Sequence, residues 1–214
     1  MFAPDLSALN LPTLIVFAGL AVMSVLAVTV TFFKIFQFSR MGVGNVAAAE
    51  TILQNWLGGQ PEDAMRTAGQ RGFVLARVLQ SVFSGLRAKP NTPQFAEELG
   101  RQAAMLELTA MTRRMRILET VVQGAPMLGL LGTVIGMIDA FSTLAAADGT
   151  VDPALLAGGI WTALTTTAAG LAIALVTYFA ASWLEGRIEF ERQAMETLMS
   201  AAIHGRVDDA AASG

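Results

Sequence analysis

Thr120-Val121-Val122-Gln123-Gly124-Ala125-Pro126-Met127-Leu128-Gly129-Leu130-Leu131-Gly132-Thr133-Val134-Ile135-Gly136-Met137-Ile138 runs without a single ionisable side chain. As a helix, about 20 mainly apolar residues cross the roughly 30 Å of hydrocarbon in a bilayer. Two other uncharged runs, Leu6–Phe33 and Pro153–Leu184, are also long enough. Three spans define the chain as an all-α, polytopic membrane protein. With 14% charged residues and a mean hydropathy of +0.55, it is too apolar for an ordinary soluble domain.

The charges give the topology. Of the 14 Lys and Arg residues, eleven lie in Lys34–Glu119 and three in the tail, at Arg187, Arg192 and Arg206. The connection between the second and third runs carries Asp148 and Asp152 and no base. The positive-inside bias then places the middle segment and the tail in the cytoplasm and the N-terminus outside. The expected division is a periplasmic N-terminus (1–10), a first span (11–33), a cytoplasmic helical domain (34–116), a second span (117–146), a periplasmic loop (147–153), a third span (154–184) and a cytoplasmic C-terminal helix and tail (185–214). The first run has no basic n-region and is followed directly by Lys34 and Arg40, so it reads as a retained span, not a cleaved signal. Phe32, Phe33, Phe36 and Phe38 read as interfacial anchors.

The middle segment has helical punctuation. Val43–Leu57 ends at Gly58-Gly59, a helix stop. A second helix starts at Pro61-Glu62-Asp63 and continues through Phe73 and Val74 to about Leu86. A third starts at Thr92-Pro93, and no breaker appears before Gly124-Ala125-Pro126, so it is expected to run unbroken into span two. Span three is likewise expected to continue past Leu184. Two long helices with shorter ones packed on them make a cytoplasmic helical bundle.

Composition excludes several functions. No cysteine means no disulfide and no thiol chemistry, and the one histidine, His204, lies beyond the last span. A net charge of −3 argues against nucleic-acid binding. No nucleophile–base pair or phosphate loop points to an enzyme, and no cofactor is expected.

Two stretches carry the candidate chemistry. Span two places Gly129, Gly132 and Gly136 close together, with Pro126 nearby. Gly132 and Gly136 form a small-xxx-small face that lets helix backbones approach. Span three has four hydroxyls within six residues, Thr162, Thr165, Thr166 and Thr167, flanked by Gly159 and Gly170. Counted from the membrane boundaries at Ile117 and Leu184, Thr133 and Thr167 fall at about the same depth, where they can form a polar ring. Asp139 lies about 9 Å further out on span two. A carboxylate at membrane depth is a functional candidate, and the headgroup level is its other reading.

Gly124-Ala125-Pro126-Met127-Leu128-Gly129-Leu130-Leu131-Gly132-Thr133-Val134-Ile135-Gly136-Met137 resembles the span-two signature of the ExbB/TolQ/MotA proton-channel family. Gly159-Ile160-Trp161-Thr162-Ala163-Leu164 and Thr167-Ala168-Ala169-Gly170-Leu171-Ala172-Ile173-Ala174 resemble its span-three signature. The resemblance covers about Arg113–Arg192, and the three-span layout is closest to the ExbB/TolQ branch. It implies a pentameric ring in a bacterial inner membrane, lined by spans two and three. Inside the ring would stand an ExbD- or TolR-like single-span partner bearing a proton-accepting aspartate, with the proton-motive force passed to a client such as a TonB-like protein. The family's pore threonines map onto Thr133 and Thr167. One position departs: the branch commonly has a glutamate five residues before the span-three threonine, where this chain has Thr162. Asp139 is a candidate replacement carboxylate, and Thr162 and Thr166 are candidate pore-lining hydroxyls. The residues leave open the oligomer number, proton or sodium, and which client is driven; the alternatives are a non-conducting helical scaffold and a TolQ-like envelope-constriction motor.

Overall fold

Long apolar segments set the three longest helices of the computed structural model, which describes residues 11–145 and 153–205. The N-terminal segment 1–10, the connection bearing Asp148 and Asp152, and Arg206 lie outside the described residues. Seven helices follow in order: α1 Leu11–Met41, α2 Val46–Leu57, α3 Pro61–Gln70, α4 Val74–Ala88, α5 Pro93–Thr112, α6 Met115–Ala145 and α7 Pro153–His204. No strand occurs among the described residues. Of these helices α1, α6 and α7 contain stretches long and apolar enough to cross a membrane.

The chain divides into two compact units, Met1–Phe32 with Arg114–Ser182, and Phe33–Arg113 with Trp183–Gly214. The first contains the early part of α1, all of α6 and the first part of α7. Its interior includes a cluster of Val16, Leu20, Ala27, Val121, Ala125 and Ala174. Large apolar side chains such as Met127, Leu130, Val176 and Phe179 are exposed instead. In water such a surface is a liability; against lipid or neighbouring helices it is the expected solvent-facing composition.

The second unit is built as a soluble bundle is. Along α4, Val74, Leu75, Val78, Leu79, Val82 and Phe83 are buried in pairs every four residues, an amphipathic helical stripe. Phe83 stacks on Trp56 of α2 with ring centroids 4.2 Å apart. Each large apolar side chain fully buried here stabilises the fold by about 1.5–3 kcal/mol. Arg77 on α4 grips Glu107 on α5 with a two-pronged ion pair, Nε to Oε1 at 2.6 Å and a second guanidinium nitrogen to Oε2 at 2.7 Å. That hydrogen bonding raises the Arg77 pKa. On the exposed face of α7, hydrogen bonds from Arg192 hold the Glu189 carboxyl below the usual carboxylate range.

Two expected continuous helices are broken. The segment from Pro61 to about Leu86 divides into α3 and α4, because Arg71-Gly72-Phe73 turns to extended backbone at Arg71 and Phe73. The Arg77 guanidinium takes the Gly72 carbonyl on this connection. The second break, at Arg113-Arg114, separates α5 from α6 and puts Arg114 at φ 72°, in the left-handed region. In a continuous helix the Ala110 and Met111 carbonyls would accept the amides of Arg114 and Met115. Here Gln37 Nε2 donates to the Ala110 carbonyl at 3.0 Å, and the Lys34 ammonium donates to the Met111 carbonyl. Side chains of α1 thus occupy the acceptors that helix continuation would use. Lys34 and Phe38 are buried in this unit and so are not surface anchors, whereas Phe32, Phe33 and Phe36 are exposed. The expected run-on of the third span is observed: α7 continues unbroken to His204.

Candidate functional site

The site is built on the seam between α6 and α7, within the apolar unit. Ala125 meets Gly170, Gly132 meets Thr166, Gly136 meets Ala163 and Ala140 meets Gly159, so the two helices run antiparallel. A Cβ placed on Gly170 would stand 2.5 Å from the Ala125 carbonyl oxygen. The helices touch backbone to backbone because small residues recur every three or four positions on both. Pro126 sits inside α6, which nonetheless continues through it. From α1, Val16 packs against the same stretch, 3.0 Å from where a Gly132 Cβ would lie.

This close approach brings two α7 hydroxyls to Gly129 of α6, and Thr133 stands a turn further along α6, not at the depth of Thr167 that residue counting predicts. Thr167 Oγ1 donates to the Gly129 carbonyl at 2.9 Å. Thr166 Oγ1 shares its proton between the Ala163 carbonyl at 2.6 Å and Gly129 at 3.3 Å. Thr133 Oγ1 donates to the neighbouring Leu130 carbonyl at 2.7 Å. Thr167 is therefore level with Gly129, four residues or about 6 Å along α6 from Thr133, so the two are one turn apart in height. Thr166 is fully buried in the seam, while Thr133 and Thr167 are half-buried at its margins.

The structure does not bring the other candidates to this turn. Thr162 donates to its own helix at the Gly158 carbonyl, 3.0 Å away, as Thr165 does at Trp161, 2.8 Å away. Asp139 is six residues beyond Thr133, which puts it about 120° around α6. Its backbone carbonyl accepts the Ser142 and Thr143 hydroxyls. The face that Thr133 shares is an open groove of about 530 Å³ lined by Thr133, Val134, Met137, Ile138 and Phe141, and Asp139 is not part of it. Gly129, Gly132, Gly136, Gly159 and Gly170 all lie in the seam, as helix-packing residues should.

Sequence reasoning missed the Gly129 carbonyl as a shared acceptor. Only side chains were weighed, and a main-chain oxygen has no sequence signature; the recurring glycines were the one available hint. It also grouped Thr166 with the pore-lining hydroxyls, although its position opposite Gly132 encloses it between helices. Among the described residues no group of three or more His, Asp or Glu side chains is placed to hold a metal ion.

The chemical capacity of the turn follows from the direction of its hydrogen bonds. A threonine hydroxyl that donates to a carbonyl keeps its oxygen lone pairs. Thr133 and Thr167, at the margins of the seam, therefore each offer an acceptor to an incoming donor in surroundings without charge.

Comparison with known proteins agrees with this architecture. Residues 70–197 match the family described as the MotA/TolQ/ExbB proton channel family. An ExbB homolog among the biopolymer transport proteins of Methanothermobacter thermautotrophicus is 32% identical over 158 residues, covering 69% of this chain and 54% of that protein. A biopolymer transport protein termed ExbB-like 1 in Synechocystis is 30% identical over 75% of this chain and 63% of its own length. Biopolymer transport protein exbB1 of Vibrio cholerae is 41% identical over 86 residues, 38% of each chain. The chain spans a little over half the length of the Methanothermobacter relative. The matched segment takes in α4 to α6, most of α7 and with them the whole seam, and the chain belongs to the MotA/TolQ/ExbB proton channel family as an ExbB-like membrane protein.

Proposed function

We propose that this chain is the ring-forming subunit of a proton-driven motor in the inner membrane, with its N-terminus in the periplasm and its C-terminus in the cytoplasm. Five copies would surround a single-span partner of the ExbD or TolR kind, and the proton-motive force would drive work at the periplasm or outer membrane. A TonB-like protein is the natural recipient of that work. The observation that carries this reading is that Thr133 and Thr167, one turn apart, donate to the consecutive carbonyls of Leu130 and Gly129. With their protons committed to carbonyls, both hydroxyls present lone pairs. They suit a neutral carboxylic acid, which donates, better than a carboxylate, which only accepts. A partner aspartate that loads a proton and then passes this turn would be held in its protonated state and released after losing the proton. Each proton crossing 100 mV makes about 2.3 kcal/mol available, provided that water does not leak past. The groove beside Thr133 suits the close seating of another helix.

The test is co-purification of the chain with its single-span partner, mass measurement of the complex, and proton uptake in liposomes. Thr133→Val and Thr167→Val should each abolish uptake while leaving the stoichiometry intact. Undiminished uptake in both variants would sink the motor reading.

A second reading has one observation in its favour. Every hydroxyl from Thr162 to Thr167 donates to a backbone carbonyl, so all are satisfied without a partner. A non-conducting scaffold would look the same in this respect, and it predicts that the valine variants keep full function.

A further inference from the structure

Glu191 on α7 has no exposed surface, lies in the bundle unit, and plays no part in the seam. Its Oε2 accepts the Gly44 amide at 2.8 Å, and its Oε1 has no hydrogen-bond partner. One turn back, Arg187 donates to the Val43 carbonyl at 3.1 Å. Two side chains of α7 thus grip consecutive residues of the loop joining α1 to α2. That loop cannot easily be supplied by other residues, since Gly42 and Gly44 have φ of 65° and 95°. Loop residues 42–45 (Gly-Val-Gly-Asn) carry no titratable side chain. The charged group facing Glu191 is Arg187, from α7 itself.

A buried carboxyl with one idle oxygen is a costly place for a negative charge and a cheaper one for a neutral acid. We propose that Glu191 is a proton-operated clamp: neutral, it holds the α1–α2 loop on α7; ionised, it draws water to Oε1 and lets the loop open. Burial pushes this carboxyl above its usual range, against the opposing pull of the Gly44 amide and the Arg187 charge. The sign follows from linkage. A raised value in the closed state means that the clamp is fully stable below the ordinary glutamate pKa, weakens as pH rises, and levels off above the closed-state value. The first helix of this proton-channel family member would then be released from α7 by a rise in pH on the side of the bundle. The proposal concerns the loop alone and does not require the motor reading.

Hydrogen exchange of the loop amides 42–45 in the full chain, between about pH 4 and pH 9 and corrected for intrinsic exchange, tests it. Protection in the native chain should fall by about ten-fold per pH unit between the open-state and closed-state values, then level off. Glu191→Gln keeps an acceptor for Gly44 and has no charge, so its protection should be high and flat. Arg187→Gln keeps a donor for Val43 and loses the positive charge, so the upper end of the window should move to higher pH. Flat protection in the native chain, or the same pH dependence in Glu191→Gln, would overturn the proposal. Should Glu191→Gln not fold, an unmoved window in Arg187→Gln overturns it equally.

Discussion

Thr167 donates its hydroxyl to the Gly129 carbonyl at 2.9 Å, joining α7 to the main chain of α6. Within a helix that carbonyl already has the Thr133 amide as its natural partner. Removing the hydroxyl therefore leaves no orphaned acceptor. Thr167→Val should lower stability in detergent by no more than about 1 kcal/mol, the usual net worth of one hydrogen bond. Thermal unfolding of the purified chain checks this. A much larger loss would mean that the hydroxyl holds the helices together, and would make the functional assay uninterpretable.

Glycines in the seam should tolerate a methyl group far less well than glycines elsewhere on α7. Gly170→Ala would push a Cβ to 2.5 Å from a backbone oxygen that cannot move independently of α6. The expected cost is about 1–3 kcal/mol, the usual range for overpacking. Gly186 has nothing within 4 Å of its Cβ position. Gly186→Ala should be neutral or stabilising by up to about 1 kcal/mol through helix propensity. Comparable unfolding temperatures for the two variants would contradict the packing described for the seam.

Lys34 and Gln37 should determine the end of α5. Replacing both, as Lys34→Met with Gln37→Leu, frees the Met111 and Ala110 carbonyls for the amides of Met115 and Arg114. Exchange at those two amides should slow as the helix closes over the break. If they exchange as before, some other contact sets the break.

The Arg77–Glu107 pair should couple α4 to α5. Arg77 is 39% exposed and Glu107 17%, so water screens part of the attraction. A double-mutant cycle with Arg77→Met and Glu107→Gln should give a coupling of about 1 kcal/mol, above the few tenths typical of exposed pairs. The exposed Arg66–Asp63 pair, at 2.7 Å, provides the comparison and should show almost none. Equal couplings would mean that the two-pronged geometry adds nothing.

Much of this molecule could be read directly. The uncharged runs, the helix signals at Pro61 and Pro93, and the stop at Gly58-Gly59 appear where local chemistry put them. Residue spacing put Gly132 and Gly136 on one face, and both stand against α7; it put Thr133 and Thr167 at one depth, whereas Thr167 is level with Gly129, a turn away. The failures have a common cause. Nothing near Arg113-Arg114 in the chain disfavours a helix; the break falls where Lys34 and Gln37, more than 70 residues away, hold the Met111 and Ala110 carbonyls. Likewise Thr162, Thr165, Thr166 and Thr167 are one residue type in one stretch, yet only Thr166 and Thr167 reach Gly129.

Sequence alone determined that three segments can live in a membrane, because transfer of apolar side chains out of water depends on composition and length and needs no partner. It determined as well that the chain has no thiol chemistry and that its bases cluster away from one loop. Tertiary structure decided where α5 ends, which hydroxyl is enclosed, and how Glu191 is deprived of water. Those outcomes depend on which main-chain oxygen or amide a distant side chain can reach, and a hydrogen bond about 3 Å long exists only after packing has brought both ends together.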